Sequence, residues 1–136
     1  MNFIFLKEKQ KILPYIFGGF LFLTDRIFKW LATVEGKLPY FGNQGLIFSL
    51  PIAPFFALLI NILILGAVFF VWRQIRHPSF ILIIIGGASN LLDRLVHGAV
   101  IDYIFIIPMA PANLADAMIV AGIIWYFWEK RKNLSS

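Results

Sequence analysis

No cysteine occurs among these 136 residues. A disulfide framework, a thiolate metal site and a cysteine nucleophile are therefore all excluded. Charge is scarce as well: only 14% of residues are charged, and seven acidic side chains stand against twelve basic ones. Too few polar groups remain to coat a soluble helical protein of this length, so that alternative is set aside. With two histidines, His77 and His97, near opposite ends of an apolar segment, no metal site is expected, and no cofactor motif is present.

What fills the chain instead is apolar, with 60% hydrophobic and 17% aromatic residues. That composition predicts an all-α membrane protein. Its length suits a single domain over 1–136 with four spans of about 20 residues each. Helices are expected over about 12–31, 55–73, 80–97 and 112–129. The basic, then apolar, start resembles a secretory signal but passes without a small-residue exit site into Thr24-Asp25-Arg26, so it reads as a retained first helix. Between Ala32 and Pro54, turn residues alternate with short β-favouring runs, which predicts a small strand element outside the membrane, over about 32–54. Gly98 to Pro111, with Pro108 and Pro111, reads as a short irregular crossing.

The basic residues give an orientation. Lys7, Lys9 and Lys11, then Arg73 and Arg76, then Lys130, Arg131 and Lys132 fall on one side of four spans. The positive-inside rule makes that side cytoplasmic, with both termini there, and this grouping at segment ends is topology rather than a nucleic-acid footprint. Asp25, Glu35, Asp93, Asp102 and Asp116 then collect toward the outer face.

Ionisable groups at membrane depth cost roughly 2.5 kcal/mol or more each, so they mark function by default. Gly86, Asn90, Asp93 and His97 share one helical stripe, which is expected to face protein. Asn113 and Asp116 share another at the head of the last helix, where Asn113 can act as N-cap. Two carboxylates held close in a partly dry site titrate as a pair and can activate water without metal or covalent intermediate. Asp25, Asp93, Asp102 and Asp116 all qualify, and spacing alone does not choose among them. For Asp93 and Arg94, the expected role is mutual or backbone satisfaction. Asn90 and Asn113 are expected to support a site, Asn43 and Gly45 to form a turn, and Asn61 has no evident role.

Asp25 with Lys29, Asn43-Gln44-Gly45-Leu46-Ile47-Phe48-Ser49, Gly86 through Arg94, Gly98 through Tyr103, and Asn113-Leu114-Ala115-Asp116 together resemble lipoprotein signal peptidase, also called signal peptidase II. The resemblance runs in order from Asp25 to Asp116. It implies a four-helix membrane fold with both termini inside and a small extracytoplasmic β-cradle after the first helix, in the bacterial cytoplasmic (inner) membrane. It also implies cleavage of diacylglyceryl-modified prolipoproteins before the lipid-bearing cysteine. By motif match, Asp102 and Asp116 would be the catalytic pair, and Asp25, Asn43, Gly45, Asn90, Asp93, Arg94 and Asn113 would shape the site or touch substrate. Membrane lipids and an inhibitor of the globomycin type are the other implied partners. Two rivals stand beside this reading: a small proton or ion carrier relaying through the same aspartates, and a catalytically inactive relative that binds lipoproteins.

Overall fold

The computed structural model describes residues 3–45, 53–107 and 110–134. The motif stretch Leu46 to Ser49 and the proline at 108 lie outside the described residues. The order is α1 (Phe3–Thr33), β1 (Phe41–Asn43), α2 (Pro54–Ile75), α3 (Ser79–His97), β2 (Val100–Asp102), β3 (Ile104–Ile107), β4 (Ala110–Ala112) and α4 (Leu114–Leu134). The chain is thus mostly helical, and α2 and α3 are each long and apolar enough to cross a membrane.

Each boundary has a local cause. Helix α1 starts well before residue 12 and runs through Pro14, because Leu, Lys, Glu and Gln ahead of the proline are good helix formers. Pro54 occupies the first turn of α2, where its missing N–H costs nothing. That helix ends at Arg76, in the left-handed region (φ 56°), whose N–H donates to the Trp72 carbonyl at 2.7 Å, and Pro78 follows. Gly98 closes α3 in the same way, with φ 71° and its N–H donating to the Arg94 carbonyl at 3.1 Å.

Helix α3 is the hub, packing against α1, α2 and α4, whereas α2 and α4 scarcely touch each other. Glycines set the closest approach. A Cβ on Gly86 would sit 2.5 Å from the Ala115 carbonyl oxygen, and one on Gly122 would sit 2.7 Å from the Ser79 carbonyl oxygen, so α3 and α4 meet nearly backbone to backbone. At the end away from the strands, the His77 ring pairs with Ser79 Oγ (2.7 Å) and Glu129 Oε2 (3.2 Å), joining the start of α3 to the end of α4.

Instead of one irregular crossing, residues 98–112 carry three short strands in two small antiparallel sheets. Strand β1 pairs with β2 in the register Phe41↔Asp102, Gly42↔Ile101 and Asn43↔Val100. Strand β3 pairs with β4, Ile104 opposite Ala112 and Ile107 opposite Ala110. The strand element after α1 therefore completes itself with residues that follow α3. Asn43 is thereby delivered to the neighbourhood of Asp102.

Burial is inverted relative to a soluble protein. Ten apolar side chains are buried among the described residues, beside nine polar or charged ones. Large apolar residues such as Phe20, Leu63, Phe70 and Phe127 are left exposed. The interior is organised by polar contacts, and the apolar faces point outward.

Candidate active site

Asn113 is where two elements meet. It caps α4: its Oδ1 accepts the Asp116 N–H at 2.9 Å, and the Asp116 carboxylate accepts the Asn113 N–H in return at 3.1 Å. This is a reciprocal capping box, with aspartate doing the work usually given to Glu or Gln. The remaining amide nitrogen of Asn113 donates to Asp102 Oδ1 at 2.6 Å. One side chain thus holds Asp116 from the helix head and Asp102 from the end of β2.

Two further asparagines finish the pair. Asn43 Nδ2 donates to Asp102 Oδ2 at 3.1 Å, and Asn90 Nδ2 donates to Asp116 Oδ1 at 2.8 Å. All four carboxylate oxygens are oriented by one donor each, with lone pairs to spare. Asp102, Asp116, Asn43, Asn90 and Arg94 line one cavity of about 520 Å³ that continues into apolar side chains of α2, α3 and α4. Burial pushes the Asp102 carboxyl up to about 6; the hydrogen bond from Asn43 opposes the rise and the nearby Asp116 charge adds to it. Two carboxyls so arranged can keep one proton between them and polarise a water molecule in the cavity.

Gly45 and Arg94 act on the cavity wall. The Gly45 N–H donates to Asn43 Oδ1 at 3.0 Å, a local turn that aims the rest of Asn43 at Asp102. Arg94 donates to the Gly45 carbonyl at 2.8 Å, pinning that turn onto α3. Of the two roles expected for it, satisfying Asp93 or the backbone, Arg94 takes the backbone one. Asp93 points the other way, toward α1.

There Asp93 joins a second cluster behind the cavity. It takes Lys29 Nζ at 2.7 Å, pairs with Arg26, and accepts the Ile101 N–H of β2 at 3.2 Å. Lys29 also meets Asp25 at 2.9 Å, and Asp25 in turn accepts Ser89 Oγ (2.6 Å) and the Tyr103 hydroxyl (2.8 Å). Burial and the Asp25 charge raise the Tyr103 phenol, which keeps its proton for that bond. Two carboxylates and two cations leave this cluster near neutrality. Asp25 and Asp93 are both fully buried and, unlike Asp102 and Asp116, do not line the cavity.

Some placements differ from expectation. His97, on the stripe of Asn90 and Asp93, is exposed at the last turn of α3, so the protein-facing part of the stripe stops at Asp93 while His97 takes the polar helix-end position also expected of it. The cluster partners Arg26, Ser89 and Tyr103 were not foreseen, although the Asp25 to Lys29 step of four residues marked one pair on a helix face. Nothing in the spacing relates residue 26 to residue 93.

Outward-facing apolar helices around a cavity lined by two carboxylates define a class: a small helical protein built for an apolar surrounding, with a paired-carboxylate cavity suited to acid–base chemistry. The comparisons agree. Residues 17–131 match the family model described as signal peptidase (SPase) II. Lipoprotein signal peptidases of Helicobacter acinonychis (33% identical, covering 94% of this chain and 97% of that protein) and Helicobacter pylori strain HPAG1 (35% identical, 87% of each) are similar along most of their length. In fold, the chain resembles a bacterial membrane enzyme solved at 2.3 Å, with a TM-score of 0.75 at 20% identity, covering 93% of this chain and 90% of that one. The chain belongs to the signal peptidase II family, which makes it an aspartic peptidase.

Proposed function

We propose that this chain is a membrane-embedded aspartic endopeptidase that removes signal peptides from diacylglyceryl-modified prolipoproteins, cutting just before the lipidated cysteine. Asp102 and Asp116 are its catalytic pair. The observation that carries this reading is the double hold of Asn113 on both carboxylates, which line one cavity. Family membership supplies the substrate class, since the relatives are named lipoprotein signal peptidases.

In the reaction, one carboxylate takes a proton from water as it attacks the scissile carbonyl, while the other, protonated, donates to the carbonyl oxygen. The roles then reverse to release the amine. A raised Asp102 favours sharing, because two adjacent carboxylates resist double ionisation. Asn43, Asn90 and Asn113 keep the pair aligned through the cycle.

All four helices span the bilayer as one domain over 1–136, in the bacterial cytoplasmic membrane. Arg73 and Arg76 at one end of the helices, with Lys130, Arg131 and Lys132, face the cytoplasm. The strands lie at the outer surface as a small cradle over the pair. Acyl chains of the substrate rest against the apolar part of the cavity among membrane lipids, and a globomycin-type cyclic peptide competes for the same space.

The test uses the purified chain in liposomes with a synthetic lipidated precursor. Cleavage is expected to fall about a thousandfold or more in Asp102→Asn and in Asp116→Asn. Undiminished cleavage by either variant removes the proposal. Proton flux without cleavage favours the carrier instead.

A further inference from the structure

Asn61 is the lone polar side chain in α2 between Phe55 and Trp72, and the pair does not use it. Its carboxamide lines the cavity of Asp102 and Asp116, and its Oδ1 is buried with no hydrogen-bond partner among the described residues. An unmet buried acceptor costs about 1–3 kcal/mol. A residue without use for that oxygen would relieve the cost by being apolar.

The packing register says where Asn61 stands. One turn along α2, Leu65 presses on Gly87 of α3, where an added Cβ would come within 3.1 Å of Leu65 Cδ1. The two helices are joined by a tight turn and run antiparallel. One turn from that contact toward the strand end therefore brings Asn61 on α2 level with Asn90 and Leu91 on α3, and Asn90 holds Asp116. Since α2 and α4 scarcely touch, a cleft is left between them over α3, with Asp116 on one wall and Asn61 on the other.

We infer that Asn61 is a substrate-positioning residue whose carboxamide oxygen accepts a backbone N–H from the unwound peptide segment beside the scissile bond. The inference rests on the peptidase reading and deepens it. In an intact helix the backbone carbonyls are tied up in the ladder, so a peptide bond must leave the helix before water can reach it. Unwound backbone at membrane depth then has orphan N–H and C=O groups. Ile64, Leu65 and Val68 on the same wall offer them nothing; Asn61 offers an acceptor. The ester groups of a lipid carry acceptors only and leave Oδ1 unmet, which selects the peptide over the acyl moiety as its partner.

The experiment is steady-state cleavage of a synthetic lipidated precursor by the full chain in detergent micelles, with thermal midpoints measured alongside. Asn61→Leu is expected to raise KM about tenfold, the value of one neutral hydrogen bond, and to raise it more than it lowers kcat. The midpoint stays level or rises, and Asn61→Gln recovers part of the KM. Precursors carrying an ester in place of one amide, scanned through the residues ahead of the cut, locate the partner. At one position the wild-type KM rises as much as in Asn61→Leu, and the two changes do not add.

An unchanged KM in Asn61→Leu overturns the inference, as does additivity at every ester position. A lower midpoint with an unchanged KM overturns it too and makes Asn61 a structural tie. If the wild type cleaves nothing, the peptidase reading and this inference fall together; if it cleaves and only the Asn61 results fail, the peptidase reading stands.

Discussion

Asp102 is the residue whose surroundings say most about its chemistry. Only 1% of its surface is exposed, and its two oxygens are engaged by amide donors that would serve a neutral or charged carboxyl alike. Burial moves it from 3.8 to about 6, so the native state holds a proton that the unfolded chain has released by pH 4. Between about pH 4 and 6 the native state binds more protons than the unfolded one, so stability falls as pH rises through that window, by on the order of 2 to 3 kcal/mol. The thermal midpoint in detergent is expected to decline across pH 4 to 6 in the wild type and to decline less steeply in Asp102→Asn. Identical slopes would mean that residue 102 titrates normally in the folded chain. Under the proposed mechanism, activity is expected to follow a different curve, lost at both ends of the pH range because the pair must keep one proton. Much at this scale is legible in the sequence: Asn113 and Asp116, three residues apart before an apolar run, already spell a helix start. The fate of Asp93 is not legible, since Arg26 and Lys29 reach it from more than sixty positions away. Electroneutrality demands partners for a buried carboxylate, but it does not say which cations of a basic chain will supply them.

Among the elements, α3 and α4 need the closest tolerance, because they carry Asn90 and Asp116 on facing surfaces. Gly86 sits one turn below Asn90, and the backbone of Ala115, next to Asp116, fills the place of its missing Cβ. The nearest atom to a methyl there is the Ala115 carbonyl oxygen, backbone that cannot turn aside, so the helices must separate. Gly86→Ala is expected to cost about 1–3 kcal/mol as an overpacked interface and to lower cleavage by lengthening the Asn90 to Asp116 bond. Gly19, on α1, has nothing within 4 Å of its added Cβ. Gly19→Ala should be neutral or slightly stabilising through helix propensity. Thermal midpoints of the two variants, measured with cleavage rates, give the comparison; equal behaviour would contradict the close packing. Helix positions could be drawn from hydropathy because each apolar run is long. A strand element after α1 could be drawn from its turn residues, but its partner could not: β2 has three residues, and β1 lies beyond two intervening helices from it, so no local pattern announces the pairing. Val100 and Ile101 are β-branched, but in an apolar chain that signal is drowned by dozens like it.

At the scale of the whole molecule, charge and exposure distinguish its two ends. The buried ion cluster, the carboxylate pair and the strands occupy one end, while Arg73, Arg76 and the basic run after Trp128 occupy the other. An apolar exterior between the two ends is what a bilayer requires and water penalises. Because the chain has no cysteine, single cysteines report topology without background. Glu35 and Gln74 are both exposed and lie at opposite ends, beyond α1 and in the last turn of α2. With both termini cytoplasmic, Glu35→Cys is expected to react with a membrane-impermeant maleimide in intact spheroplasts, and Gln74→Cys only after the membrane is opened. The reverse order would turn the molecule over and put the carboxylate pair at the cytoplasmic surface. It could not then reach precursors whose lipidated cysteines have already crossed the membrane, so the labelling order tests the peptidase reading without any assay of cleavage. Labelling of both sites in sealed cells would instead mean that α2, the one helix between them, does not cross the membrane, and the four-span arrangement would fail.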